Sequence, residues 1–184
     1  MHPDAQHEIS LAVAGHFTLR AVKANGAGSR LLADFDNLIL DNGLNFLAAS
    51  TSNGLMSFCR VGSGSTTPAV EQAALVNQIA SSQVIRLESA PFSTSPPYWV
   101  SRQHTFRFAM GLATGNIAEV GVGWGATGNT LFSRALVLDA NGNPTTVTVL
   151  ADELLEVTYT LTMYPSTADS LSTLNINGTS HSIL

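Results

Sequence analysis

The sequence has little charge and a single cysteine, and each shortage excludes a class of protein. Charged residues make up 11% of the 184 residues, with 8 Lys and Arg against 13 Asp and Glu. A nucleic-acid surface needs clustered cations to neutralise phosphates, and the cations here are scattered along the chain. We therefore expect no nucleic-acid partner. Cys59 has no second cysteine to pair with, which excludes an internal disulfide framework.

Long apolar runs are also lacking. No stretch approaches the roughly 18 apolar residues that a membrane-spanning helix needs, so we expect no membrane insertion. Met1 to Asp4 do not open a basic segment followed by an apolar one, so no secretory signal peptide is predicted. The remaining composition, 45% hydrophobic over 184 residues, is sufficient for one domain with a substantial core.

Short segments of alternating apolar and polar residues, separated by turn residues, are the main pattern that is present. Residues 8–23 alternate and predict either one long strand with a bulge or a hairpin. The pattern predicts a mostly β fold: an antiparallel β-sandwich or jelly-roll-like domain over residues 1–164. The further predicted strands are 30–35, 57–61, 83–88, 98–110, 116–124, 130–138, 145–150 and 154–163.

Two short helices are predicted among the strands. Leu40, Leu44 and Leu47 lie at helical spacing and indicate a helix over residues 41–49 that Asp41 caps. Thr67 followed by Pro68 is typical of a helix start and indicates a second helix through residue 75. Residues 165–184 begin with a polar stretch and then show a strand or hairpin pattern. They are predicted to be a C-terminal linker or docking extension.

The motifs that could carry chemistry fail on their context. Residues 123–128 match the GxGxxG pattern, but a turn and a strand are predicted to follow where a dinucleotide site needs a helix. The loop 61–68 lacks the lysine of a phosphate-binding loop, and residues 139–143 lack the closing glutamate of a calcium loop. None of the five histidines has a second ligand at metal-binding spacing.

Two carboxylate clusters, Asp34 with Asp36 and Asp152 with Glu153 and Glu156, could serve glycoside hydrolysis only if they met across a cleft. Such acids are more often solvated residues at strand ends. We therefore predict no catalytic residue, no cofactor, no metal ion and no enzymatic activity.

Several segments, in their order along the chain, resemble small structural proteins of tailed-bacteriophage tail modules, of the tail-fibre and minor-tail-protein type. The resemblance covers about residues 9 to 164, and no catalytic residue comes with it. The segments that carry it are NLILDNGL at 37–44, FCRVGSGSTTP at 58–68, FRF at 106–108, IAEVGV at 117–122, LFSRA at 131–135 and LLEVTYTL at 154–161.

The resemblance implies a non-enzymatic virion component of the tail or tail-fibre apparatus: a fibre, adaptor or minor tail protein made in the bacterial host cytoplasm. Its expected partners are further copies of itself, with cyclic symmetry, and other virion proteins. Two alternatives stay open: a capsid decoration protein, and a carbohydrate-binding β-sandwich module that contacts a host-surface glycan. The residues predicted to lie at subunit interfaces are Arg60, Arg107, Arg134, Trp99 and Trp124.

Overall fold

A computed structural model describes residues 11–49, 53–166, 172–176 and 178–183. Nearly all of the regular structure in these residues is β-strand, with one α-helix and a short 3-10 turn at Asn53–Met56. In chain order the elements are β1 (Leu11–Lys23), β2 (Ser29–Asp36), β3 (Leu38–Ile39), α1 (Asp41–Ala49), β4 (Phe58–Gly62), β5 (Gln78–Ser82), β6 (Ile85–Ser89), β7 (Val100–Phe108), β8 (Gly115–Ile117), β9 (Glu119–Gly123), β10 (Leu131–Leu136), β11 (Val147–Val149), β12 (Glu153–Pro165), β13 (Ser172–Ile176) and β14 (Thr179–Ile183).

The strands form two five-stranded antiparallel sheets, which confirms the predicted fold class. The first sheet has the order β2-β1-β12-β7-β6, and the second has the order β3-β10-β9-β4-β5. Two short ribbons, β8 with β11 and β13 with β14, complete the pairing. Because one hydrophobic cluster contains buried residues from both large sheets, the sheets face each other as the two layers of a sandwich.

The core follows from the two-residue period of the long strands. On β12, every second residue from Glu153 to Leu161 is buried, and the residues between them are half-buried. Phe17 on β1, Phe106 on β7 and Tyr159 on β12 lie on the core-facing side and are completely buried. The ring centroids of Phe17 and Tyr159 lie 4.7 Å apart, and this contact stabilises the pairing of β1 with β12.

Residues 11–23 form one strand, so the alternative of a hairpin there is wrong. The pairing of β1 with β12 is continuous over the whole of both strands. The irregularity lies in the pairing of β1 with β2, where the register shifts between Leu19 and Arg20. A shift of this kind places an extra residue on one strand and increases its twist.

The first predicted helix is confirmed, but a different face of it is buried. Leu44 and Leu47, whose spacing indicated the helix, are 44% and 37% exposed. Gly43 is the buried residue of α1. A side chain there would collide with the backbone of Phe132, so the helix approaches β10 through its smallest residue.

The second predicted helix is wrong. Residues 63–77 contain turns and bends but no helix. Their backbone groups bond instead to other parts of the chain: Val70 O accepts from Asp41 N, and Ala73 O accepts from Leu131 N. These tertiary bonds outweigh the local helix-start signal of Thr67 and Pro68.

The alternation pattern also missed one strand and predicted two others as a single strand. β5, over Gln78–Ser82, was not predicted. The predicted strand 116–124 is divided at Ala118 into β8 and β9, which belong to different sheets. The remaining predicted strands are present within a few residues of their expected bounds, and β13 with β14 confirms the hairpin pattern of the C-terminal segment.

Candidate functional site

A buried ion pair between Glu119 and Arg134 organises the irregular loop 63–77. Both side chains are completely buried, and Arg134 donates to Glu119 Oε2 from Nε at 3.0 Å and from Nη2 at 2.8 Å. Arg134 also donates to the carbonyl of Thr66 and to the side chain of Gln72. The pair lies on neighbouring strands, β9 and β10, and reaches from them into the loop.

The other bonds of Glu119 fix the end of the same loop. The backbone N–H groups of Asn77, Gly64 and Val76 donate to its carboxylate at 2.7, 3.0 and 3.1 Å. Burial alone would raise the pKa of Glu119, but the N–H groups of Asn77 and Val76 and the guanidinium of Arg134 hold that pKa below its ordinary value. The loop is therefore fixed by a charge that is satisfied on all sides.

Gly62 and Gly64 make room for this carboxylate. A Cβ atom at either position would collide with the Glu119 side chain. The glycines of the segment 58–68, the glutamate of 117–122 and the arginine of 131–135 thus meet at one point. Segments 58–68, 117–122 and 131–135 therefore form a single structural unit.

Arg60 fixes a second loop, formed by residues 124–130. Its side chain is completely buried and donates from Nε to Gly125 O at 2.8 Å, from Nη1 to Gly128 O at 2.8 Å and from Nη2 to Thr127 O at 3.1 Å. The GxGxxG segment is therefore a loop that binds an arginine of its own chain through carbonyl oxygens. Its N–H groups do not open a helix, which is what phosphate binding would need.

These contacts correct the predicted interface role of Arg60 and Arg134. An interface role requires a guanidinium group that is free to bond outside its own chain. Each nitrogen of both guanidinium groups instead donates to an acceptor in the same chain, and neither side chain has exposed surface. A long charged side chain can be buried only when it is paired in this way, and the sequence does not show which loop supplies the pairing.

The other three predicted interface residues lie nearer to the surface. Arg107 on β7 pairs with Glu156 on β12, with Nε 2.9 Å from Glu156 Oε1, and 31% of its side chain is exposed. Trp124 is half-buried and stacks on Phe46 of α1, with ring centroids 4.0 Å apart. Trp99 is half-buried in the connection before β7.

The acidic residues considered for glycoside hydrolysis each bond to a basic side chain. Asp34 and Asp36 both bond to His16, with its Nδ1 2.8 Å from Asp36 Oδ1. Glu153 accepts from Arg30, and Asp152 accepts from Lys23. Glu156 pairs with Arg107, and among the described residues the two acidic clusters share no basic partner.

The most distinctive surface is an apolar row at one end of the first sheet. β1 and β12 have 13 residues each, whereas the longest strand of the second sheet has six. The core-facing side of the first sheet therefore extends past the second. On this extension four residues lie side by side because each pairs with the next across neighbouring strands. We call them the uncovered end: Val13, Met163, Val100 and Phe92.

The exposure of the uncovered end increases from β1 towards the edge of the sheet. Val13 and Met163 are half-buried and pack against the core, whereas Val100 is 46% exposed and Phe92 is 67% exposed. Leu11, two residues before Val13 on the same side of β1, is 48% exposed. The unequal strand lengths leave these residues without a covering layer.

The described residues hold no group of three or more His, Cys, Asp or Glu side chains that could bind a metal ion. Within the same ranges no helix is long and apolar enough to cross a membrane. No protein-family model matches the chain, and no curated protein or solved structure matches it significantly.

Proposed function

We propose that this chain is a non-enzymatic structural component of a bacteriophage virion that assembles in the tail or tail-fibre apparatus. The observation that carries the proposal is the uncovered end. A row of apolar side chains in register across β1, β12 and β7 and at Phe92 favours a partner that covers it.

Two further features support an assembly role. Loops 63–77 and 124–130 are each fixed by a buried arginine, so the body of the protein is a rigid unit suited to fixed contacts with neighbours. Three of the six segments that resemble phage tail proteins meet around Glu119, so this part of the resemblance concerns one connected unit of the fold.

For the carbohydrate-binding alternative, neither of the two tryptophans presents a fully exposed ring. Stacking on a sugar needs an open aromatic face. One face of the Trp124 ring is stacked on Phe46, and the side chain as a whole is half-buried. Trp99 is half-buried as well. We therefore retain assembly as the proposal.

Self-association of the purified chain tests the assembly step. We expect light scattering after size exclusion to give a molar mass that rises with concentration to a fixed multiple of 19.3 kDa. Phe92→Ser should shift this transition to at least tenfold higher concentration. Leu112→Ser is the matched control, since Leu112 is 49% exposed and follows the opposite end of β7. A strictly monomeric protein at high concentration would contradict self-assembly.

The place of assembly is tested in particles. Mass spectrometry of purified virions from a phage that encodes the chain should detect it in a constant ratio to tail proteins, and deletion of its gene should give particles with defective tails. Its detection on tail-less heads would favour the capsid decoration alternative instead. Complete, infectious particles that lack the chain would overturn the virion proposal.

A further inference from the structure

The C-terminal hairpin is a two-stranded sheet that is separate from the two large sheets of the sandwich. β13 and β14 pair with each other over five residues. A lone two-stranded hairpin is at best marginally stable in water. The hairpin follows β12, and β12 ends at Pro165, which pairs with Leu11 two residues beyond the row.

We propose that the uncovered end binds the β13–β14 hairpin of a second copy of this chain. The hairpin would act as a short second layer over Val13, Met163, Val100 and Phe92. It would continue the sandwich where the strands of the second sheet end. This inference rests on the proposed assembly function, because it names the partner of the same surface.

The dimensions of the two parts agree. Four neighbouring strands span about 14 Å, because paired strands lie about 4.8 Å apart. A five-residue strand is about 16 Å long at roughly 3.3 Å per residue. Each strand of the hairpin is therefore long enough to cross the whole row.

The area that can be buried favours the hairpin as the partner over a second copy of the uncovered end. A stable interface buries about 800 Å² from each partner, and a large aromatic side chain such as Phe92 supplies about 200 Å². Val13 and Met163 are already half-buried, so two rows packed on each other fall well short. The hairpin adds ten residues of strand, three of which are apolar in the sequence: Leu174, Ile176 and Ile183.

The hairpin of the same chain does not cover the row in this structure. Phe92 and Val100 remain exposed with the hairpin of their own chain in place. Exchange of the hairpin between copies would give both the row and the hairpin a partner, as in domain swapping.

Disulfide trapping in the full chain tests the proposal. Val100→Cys and Ile176→Cys are made in separate chains that also carry Cys59→Ala, and the two chains are mixed under mild oxidation. We expect a disulfide-linked heterodimer at a yield at least fivefold higher than from a mixture of Leu112→Cys and Ile176→Cys chains. Equal yields from the two mixtures would overturn docking at the uncovered end.

A chain that carries both Val100→Cys and Ile176→Cys distinguishes exchange from folding back. Exchange predicts linked dimers and larger species on a denaturing gel. An intramolecular disulfide in a monomer would show that the hairpin returns to its own sandwich, which overturns the exchange. Association of the wild-type chain with no preferred trapping would refute the hairpin contact alone, whereas a monomeric wild type would refute the proposed assembly as well.

Discussion

At the residue scale, the buried charges decide more of this structure than any exposed group does. Glu119 and Arg134 are both completely inaccessible, and together they fix a loop of about fifteen residues. Removing one partner of such a pair leaves the other charge buried and uncompensated, and the cost of that desolvation is large. An ion pair at the surface carries no comparable penalty, because water replaces the missing partner.

Glu119→Gln is therefore expected to lower the free energy of unfolding by about 3–5 kcal/mol. The matched control is Glu156→Gln, which removes the charge that pairs with the part-exposed Arg107 and should cost about 1 kcal/mol or less. Urea unfolding followed by tryptophan fluorescence measures both. Equal losses in the two variants would show that Arg134 finds another partner and that the buried pair does not fix the loop.

The sequence analysis assigned Arg134 to a subunit interface, whereas its partner Glu119 lies in the same chain. Glu119 and Arg134 lie on adjacent strands of one hairpin, so the two partners are close in the sequence as well as in the fold. Spacing alone could not distinguish an internal pair from an external one. The side on which each charge lies depends on the loop that folds over it.

At the element scale, the first sheet is held together by charges as well as by its ladder. Glu153, the first residue of β12, accepts from Arg30 of β2, which lies two strands away across β1. Lys23 of β1 lies within 3.7 Å of the same carboxylate. The side-chain hydrogen bond from Arg30 and the backbone N–H of Leu150 lower the pKa of Glu153 to about 2.

This carboxylate predicts a pH dependence of stability. Since its folded pKa, about 2, is below the ordinary 4.5, its contribution is present above about pH 4.5 and is lost as the pH falls towards 2. The melting temperature of the wild type should exceed that of Glu153→Gln at pH 7, and the gap should narrow between pH 4.5 and 2. A gap that stays constant across this range would show that the carboxylate is not the group that titrates.

The elements also show where local signals are sufficient. The alternating strands β1, β7 and β12 were predicted because each buries one complete face, and that burial imposes a two-residue period. The helix predicted at Thr67 failed because its backbone groups bond to distant residues. β5 was not predicted because its edge position leaves Ile79 43% exposed and weakens the alternation.

At the scale of the whole molecule, the two layers have unequal lengths, and this mismatch creates the surface that we assign to assembly. The row at the uncovered end contains no charged residue: Val13, Phe92, Val100 and Met163. Association through it is driven by the removal of apolar surface from water, which salt does not screen.

The association constant of the purified chain should therefore change less than about threefold between 0.05 and 0.5 M NaCl. Sedimentation equilibrium at the two salt concentrations measures it, and Arg107→Ala, which leaves the row intact, should associate as the wild type does. A steep loss of association with salt, or with Arg107→Ala, would assign the interface to arginine pairs between subunits and would contradict a contact through the uncovered end.

The sequence by itself determined the class of this protein: a mostly β chain of antiparallel sheets with one confirmed helix. Alternation and turn residues are local consequences of burying one face of a strand, so they can be read without knowing what lies opposite. The tertiary structure alone decided that Arg60 and Arg134 are internal and that the first sheet extends beyond the second. Both facts depend on which distant segments meet, and no local spacing records that.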